Sequence, residues 1–356
     1  MSNKKFADKV VRWFSLHGRK DLPWQVQPTP YRVWISEVML QQTQVATVIP
    51  YFERFMISFP SVEALADAAI DDVLHHWSGL GYYARARNLH KSAQRIRAEF
   101  DNQFPSDFDD VLALPGVGRS TAGAILALSG NERHAILDGN VKRVLARHNA
   151  IDGWAGKPAV ARALWEIAEE KTPTKDIAKY TQAMMDLGAT VCTRTKPRCP
   201  ECPVVDSCEA HALGKELEFP GKRPKKVKPL KQKHMLMVQN GNEVYLERRP
   251  AAGIWGGLWS FPELDDENEI EAWCDRVIGT LPVDVERWDT VRHRFTHFDL
   301  DIEPIVVTLS HGACKVQDSG EEVWYNVNSP QQLGIAAPVS DLIDKLKEQS
   351  GYVPNG

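Results

Sequence analysis

Four cysteines lie close together in the second half of the chain, and they constrain its fold more than any other feature. Cys192, Cys199, Cys202 and Cys208 have the spacing C-x6-C-x2-C-x5-C. Four thiolates on one short loop can enclose one compact ion or cluster, and thiolates suit soft centres such as zinc or iron–sulfur. Structural zinc sites commonly use two short C-x2-C pairs, whereas only the middle pair is that close here. The spacing indicates a metal-stapled loop and leaves both metals open.

The other two cysteines, Cys274 and Cys314, lie apart, and we expect ordinary half-buried thiols. Clustered cysteines in a reducing compartment favour a metal over disulfides. The N-terminus has mixed charges and no apolar signal core, and no stretch approaches the roughly 18 apolar residues of a membrane span. We therefore expect a cytosolic protein (bacterial cytosol or nucleoid) that does not associate with membranes.

Charge is distributed unevenly along the 356 residues. The whole chain has 43 basic and 47 acidic side chains, a net charge of −4, which by itself argues against a nucleic-acid binder. Residues 1–233, however, carry a net charge of +8, and residues 234–356 a net charge of −12. This asymmetry is a weak indication that the first part contacts nucleic acid.

Hydrophobic periodicity divides the chain into two domains. Residues 1–213 have the three- and four-residue apolar spacing of helices. The clearest helical runs are Val10–Phe14, Tyr31–Met39, Val48–Phe55, Leu89–Ile96, Thr121–Leu128 and Val141–Ala146. Residues 235–350 predict an α+β domain because they contain strand-like runs broken by Gly and Asn turns. Those strand-like runs are Met235–Val238, Val244–Leu246 and Ile302–Thr308.

A basic segment, residues 214–234, joins the two domains. It holds eight basic residues, including Lys225 and Lys226, and three prolines. This composition is typical of an extended linker. The segment is either a solvated spacer or a linker whose lysines also contact phosphates, and the sequence leaves both alternatives open.

A glycine-rich turn separates two helical runs at about residues 108–130. Gly116 and Gly118 permit a tight turn, and a helix beginning near Ser120 directs its positive end to the same place. The turn predicts either a plain helical corner or a phosphate-binding one. The motif Leu-Pro-Gly-Val-Gly resembles the helix-hairpin-helix of the endonuclease III-like DNA glycosylases. The cysteine spacing also matches that superfamily, which implies a 4Fe–4S cluster on the loop 192–208.

Two carboxylates stand out once this resemblance is recognised. Asp138 lies between apolar residues and a helical run, where it would ordinarily cap the helix. It also matches the catalytic carboxylate that follows the hairpin in these glycosylases. The segment Ser36–Gln44, SEVMLQQTQ, closely resembles the adenine DNA glycosylases of the MutY family. The matching Glu37 would protonate the leaving adenine, which requires a pKa raised by burial beside apolar groups such as Trp34. Otherwise Glu37 is a solvated helical residue.

The resemblance extends from about Leu22 to Pro338 and implies further contacts with DNA. Gln42 matches a residue that wedges into the duplex, and Leu80 and Tyr82 match a loop that stacks beside the orphaned base. Trp24 and Gln182 match positions of the adenine pocket. The other positions implied to contact substrate or DNA are Gln41, Gly116, Gly118, Ser120 and Asn140.

Ser120 also distinguishes two kinds of glycosylase. Relatives that cut the strand carry a lysine two residues after the second hairpin glycine, and here that residue is Ser120. Because no amine is placed for Schiff-base attack, we predict a monofunctional enzyme that leaves an abasic site. Lys20 and Lys142 are the amines available for a slow, adventitious imine.

The C-terminal domain resembles a Nudix domain that has lost its metal site. Residues 253–262 match the start of such a domain, and Gly257 and Glu263 fit the first part of its box. The later Arg-Glu and Glu-Glu pairs are absent, so metal-dependent hydrolysis is not expected. The resemblance implies a domain that recognises 8-oxoguanine. Phe295, Thr296 and His297 would supply a stacking ring and hydrogen bonds, unless they form only a hairpin tip.

These features predict a multidomain protein with an all-α helix-hairpin-helix glycosylase core and an α+β Nudix-like domain. We expect a monomer acting on double-stranded DNA that contains adenine opposite 8-oxoguanine or guanine. Three rivals are a pyrimidine glycosylase with lyase activity, a non-catalytic mismatch sensor and a Nudix hydrolase. Ser120 and the extra C-terminal domain count against the pyrimidine glycosylase. The paired carboxylates count against the mismatch sensor, and the incomplete Nudix box counts against the Nudix hydrolase.

Overall fold

The computed structural model describes residues 3–224, 227–309 and 320–349. Lys225 and Lys226 of the predicted linker, Cys314 and the last residue of the predicted C-terminal domain lie outside the described residues. The chain forms two compact units. One comprises Met1–Asp67 and Asn88–Lys225, and the other comprises Ala68–Arg87 and Lys226–Gly356. Residues 68–87 therefore group with the C-terminal unit, although the predicted boundaries placed them in the first domain.

Helices account for most of the first unit, and all the described strands lie in the second. The helices are α1 Asn3–His17, α2 Pro30–Leu40, α3 Val45–Ser58, α4 Val62–Asp67, α5 Ile70–His76, α6 Ala84–Phe100, α7 Phe108–Leu112, α8 Arg119–Gly130, α9 Gly139–His148, α10 Pro158–Lys171, α11 Ile177–Asp186, α12 Glu209–Ala212, α13 Ile270–Trp273 and α14 Ala337–Gln349. The strands are β1 Leu230–Asn240, β2 Glu243–Arg248, β3 Trp259–Ser260, β4 Glu263–Leu264, β5 Asp284–Arg287, β6 Val291–Arg294, β7 Asp299–Thr308 and β8 Glu322–Asn326. The all-α core and the α+β second domain are thus confirmed.

The core of the first unit forms where α1, α9, α10 and α11 turn their apolar sides together. Val10, Leu145 and Leu164 are almost fully buried there, with Tyr180 and Leu187 beside them. The six predicted helical runs all lie within helices of the structure. Burial of these side chains removes apolar surface from water and holds the helices that carry the polar site residues.

The second unit is built on a mixed sheet. The main strand order is β3-β2-β1-β7-β5, with β4 beside β1, β6 beside β7 and β8 beside β2. Only β1 and β7 pair in parallel among the described strands, from Leu230 opposite Asp299 to Gln239 opposite Thr308. The three predicted strands are confirmed, but β1 begins at Leu230, inside the predicted linker. Across the described residues, no helix has the length and apolarity needed to cross a bilayer.

Candidate active site

Glu37 lies in the last turn of α2 and faces a cavity of about 440 Å³ in the first unit. Thr29 is the N-cap of this helix and its hydroxyl accepts the N–H of Arg32, and Pro30 fixes the first turn. Buried neighbours such as Ile35 and Val38 hold the helix, so Glu37 is itself half-buried. Burial, and to a smaller extent the negative charge of Asp138, raises the pKa of Glu37 to about 8.

Asp138 lines the same cavity and is the N-cap of α9. Its two carboxylate oxygens accept the backbone N–H groups of Asn140 at 3.1 Å and Val141 at 2.8 Å. These bonds hold the carboxylate rigidly beside the cavity at the positive end of the helix, where a negative charge is favoured. The site therefore contains one carboxyl group whose neutral form is favoured and one carboxylate fixed by donors.

Most of the predicted pocket residues line this cavity together with the carboxylates. They are Trp24, Gln41, Gln42, Ser120, Asn140 and Gln182. Leu22 and Leu40 supply further apolar surface. Trp34, which the sequence placed beside Glu37, is not among the lining residues and packs against Tyr31 and Phe104.

The hairpin between α7 and α8 needs glycine at its first bend. Gly116 has a φ of +78°, and an added Cβ would lie 2.8 Å from Nδ2 of Asn88. Gly118, the N-cap of α8, has open space around it. Two residues on, the hydroxyl of Ser120 accepts the N–H of Leu137 at 2.9 Å. No lysine is found among the described residues that line the cavity.

Two predicted DNA-contact residues protrude from strained turns. Gln42, at the end of α2, has a φ of 60° and is exposed. Tyr82, in the second unit, has a φ of 52° and a 45% exposed side chain. Left-handed backbone is costly for such residues and persists at functional sites. Leu80 differs, because its side chain is buried and therefore not available as a contact surface.

The four predicted metal ligands converge on one small cavity. Cys192, Cys199, Cys202 and Cys208 all line it. Burial and the neighbouring Glu216 raise the pKa of Cys199 to about 11, and burial raises that of Cys202 to about 12. Four thiolates at this spacing therefore need a cationic centre to coexist, and the soft sulfur donor set fits a metal cluster.

A hydrogen-bonded group borders the cysteine cavity on one side. Glu216 accepts a bond from His211 at 2.6 Å and lies 3.7 Å from the sulfur of Cys199. The donor atoms of these three residues lie within 4.8 Å of one another, which is close enough to hold a metal ion. On the other side Arg147 donates to the sulfur of Cys192 and to the carbonyl of Thr193.

Helix α9 connects the cysteine loop to Asp138. Arg143 donates to the carbonyl of Cys192 at 2.7 Å, to that of Gly188 at 2.6 Å and to the amide oxygen of Asn140 at 2.9 Å. Gly188 lies so close to Asn140 that an added Cβ would be 2.6 Å from its Cβ. The loop therefore supports the residues that follow the Asp138 cap.

The second unit places the predicted recognition residues between β6 and β7. Phe295 stacks on Phe298 at 4.5 Å and also contacts His293 and Trp255. This aromatic cluster leaves Phe295 only half-buried, while Thr296 and His297 are exposed. The ring of Phe295 thus supports the loop, and the polar side chains beside it face outward.

The residue retained from the Nudix box is already paired. Glu263 lies in β4 and forms an ion pair with Arg249, whose guanidinium also donates to the carbonyl of Ile254. Glu271, at the next box position, is exposed on α13. The carboxylate of Glu263 is therefore held within the fold by Arg249.

The sequence did not point to Arg19, which lines the pocket, or to Asp186, which lies behind it. Arg19 lines the cavity, and Asp186 is fully buried and forms an ion pair with Arg19 at 2.6 Å. A signal for Asp186 existed, because it follows Gln182 by one helical turn and therefore lies on the same face of α11. Arg19 has no such local signal.

Comparisons with known proteins give a family match in each of the two units. Residues 35–170 match the HhH-GPD superfamily of base excision DNA repair proteins, and residues 234–345 match the NUDIX domain family. An adenine DNA glycosylase of Buchnera aphidicola is 40% identical and covers 98% of this chain and 99% of its own length. That of Mus musculus is 31% identical and covers 88% of this chain and 73% of its own. The structure of a thermostable thymine-DNA glycosylase matches 59% of this chain and 97% of its own, with 24% identity and a TM-score of 0.54, which shows a shared fold.

Proposed function

The chain belongs to the adenine DNA glycosylases, base-excision-repair hydrolases of N-glycosyl bonds, and on that basis we propose that it removes adenine mispaired with 8-oxoguanine, or less favourably with guanine, and leaves the strand uncut. The observation that carries this proposal is the pair of unlike carboxyl groups in one cavity. Glu37 has a pKa of about 8, and Asp138 is held by two backbone donors.

Glu37 and Asp138 have different roles in the departure of the base. Glu37 is mostly protonated at neutral pH and donates its proton to the leaving adenine. Asp138 remains an acceptor and stabilises the positive charge that develops on the sugar as the bond breaks. A water then adds at the anomeric carbon and leaves an abasic site. Different environments for two nearby carboxyl groups are what such an acid and anion require.

The adenine must leave the helix before it reaches Glu37. Unstacking a base costs a few kcal/mol, and the protruding side chains of Gln42 and Tyr82 are suited to fill the space left in the duplex. Trp24 and Gln182 form part of the wall that would receive the base. Gly116 and Gly118 would hold the phosphates at the start of α8.

Absence of strand cutting is proposed from Ser120. Its hydroxyl is engaged by Leu137 and offers no amine to the sugar. A duplex treated with the enzyme should break only after heating in alkali. Borohydride trapping during turnover should yield little covalent complex. Strand breakage at the rate of adenine release would contradict this part of the proposal.

Recognition of 8-oxoguanine is proposed for Thr296 and His297. Both are exposed beside the aromatic cluster and carry the hydrogen-bonding groups that a modified base requires. Adenine release should be compared in duplexes where adenine faces 8-oxoguanine, guanine or thymine. Replacing both residues by Ala should slow release opposite 8-oxoguanine and change release opposite guanine little. Equal slowing on both duplexes would contradict the assignment.

A 4Fe–4S cluster is proposed for the cysteine loop. Cys192, Cys199, Cys202 and Cys208 would hold it, and a bound cluster would staple a loop that has little apolar core. About four irons per chain and visible absorption near 400 nm should be found, as expected for such a cluster. A preparation that binds only zinc when iron is supplied would refute it. We further propose a monomer in a reducing cytosol, where these thiols stay available.

A further inference from the structure

We propose that Asp186 is the positioning residue that makes the pocket specific for a 6-amino purine, because it fixes the orientation of the Gln182 carboxamide. Asp186 is 0% exposed, and Gln182 is 7% exposed on the same helix, α11. Gln182 lines the cavity that holds Glu37 and Asp138, whereas Asp186 lies behind it. This inference rests on the proposed adenine pocket and adds a residue to it.

Four donors surround the Asp186 carboxylate. Its Oδ1 accepts Nε and Nη2 of Arg19 at 3.0 and 2.6 Å, and its Oδ2 accepts the backbone N–H of Arg19 at 2.8 Å. Nε2 of Gln182 donates to Oδ1 at 3.0 Å. With both oxygens bonded by Arg19, the carboxylate cannot turn, and the position of its contact with Gln182 is fixed.

The contact with Asp186 determines which end of the Gln182 amide is free. An ionised carboxylate only accepts hydrogen bonds, so the NH2 end of the amide must point toward Asp186. The opposite end, Oε1, receives no hydrogen bond from the described residues and is left for the cavity. The pocket wall therefore presents an acceptor at this point.

An acceptor at this point separates amino from oxo purines. Adenine carries an N6 amino donor, whereas guanine and hypoxanthine carry a carbonyl oxygen at the same position. A carbonyl facing Oε1 of Gln182 would leave two acceptors opposed and unpaired, which costs more than the loss of one hydrogen bond. If Asp186 were neutral, the amide could turn and offer its NH2 end, and this discrimination would fall.

The test measures a ratio of two rates on one preparation. Single-turnover release of adenine and of hypoxanthine, each opposite 8-oxoguanine, is measured for the wild type, Asp186→Asn and Asp186→Glu. Asp186→Asn should lower the adenine-to-hypoxanthine ratio about tenfold, the usual effect of one such polar contact. Asp186→Glu keeps the acceptor and should retain most of the ratio. An unfolded fraction cancels from the ratio, because both substrates meet the same protein.

A second variant separates this inference from the adenine pocket itself. Gln182→Met removes the amide and should lower the ratio by itself, and adding Asp186→Asn should then change it no further. If Asp186→Asn slows both substrates equally, Asp186 is only structural and the inference fails. If Gln182→Met leaves the ratio unchanged, Gln182 does not distinguish the two purines, and its pocket assignment fails together with the inference.

Discussion

Replacing Glu37 by glutamine should stabilise the protein, because the folded state holds this carboxyl group at an unfavourable pKa. Burial and Asp138 raise the pKa of Glu37 from 4.5 to about 8. At pH 7 the unfolded chain carries the group ionised, so folding must bind a proton. Each pH unit above the unfolded pKa costs about 1.4 kcal/mol, which gives an upper limit of about 3 kcal/mol at pH 7. Because Glu37 is only half-buried, solvent screening reduces this to about 2 kcal/mol.

The sign of the effect sets its pH window. The penalty is absent below about pH 4.5, grows as the pH rises and is complete above about pH 8. Glu37→Gln removes it, so the melting temperature of the variant should exceed that of the wild type by about 5 °C at pH 7 and by little at pH 5. Glu53→Gln, at an exposed helical position, serves as the control, and its melting temperature should equal that of the wild type at both pH values. A difference in melting temperature that is absent at pH 7, or that stays constant with pH, would refute a protonated Glu37 carboxyl group in the folded state.

Two further substitutions test the hairpin and the second unit. Gly116→Ala should lower the free energy of unfolding by about 1–2 kcal/mol, because Gly116 has a φ of +78° and Asn88 blocks an added Cβ. The same variant should bind matched and mismatched duplexes more weakly. Gly118→Ala, in open space, is the control, and equal melting temperatures for the two variants would count against strain at Gly116. Asp71→Asn should destabilise the second unit by about 1–3 kcal/mol, because it leaves the half-buried Arg248 guanidinium without its ion-pair partner. Adding Arg248→Met should then cost less than it does alone, and strictly additive losses of melting temperature would show that the pair is not coupled.

The parts of the structure that depend on neighbouring residues could be predicted from the sequence. The helical runs and strands follow from apolar spacing, and Asp138 as a cap follows from a polar residue directly before a helix. The cysteine loop follows from spacing together with the resemblance. Each of these signals lies within a short stretch of chain.

The parts that depend on distant residues could not be predicted. Residues 68–87 group with the second unit through the pair Asp71–Arg248 and the close approach of Leu74 to Gly334, contacts that no local pattern encodes. Trp34 has the right spacing from Glu37 on the helix, but its packing against Phe104 involves a residue distant in sequence, which no local pattern encodes. Leu80 matches a family position, yet only the folded structure shows that its side chain is buried.

The most direct test of the acid-assisted mechanism is the pH dependence of adenine release. Single-turnover rates on a duplex with adenine opposite 8-oxoguanine should be nearly constant up to about pH 7 and fall about tenfold between pH 7 and pH 9, as Glu37 loses its proton. Glu37→Gln should bind the same duplex and release no adenine. A rate that stays constant to pH 9, or normal turnover by Glu37→Gln, would contradict the assignment of Glu37 as the acid.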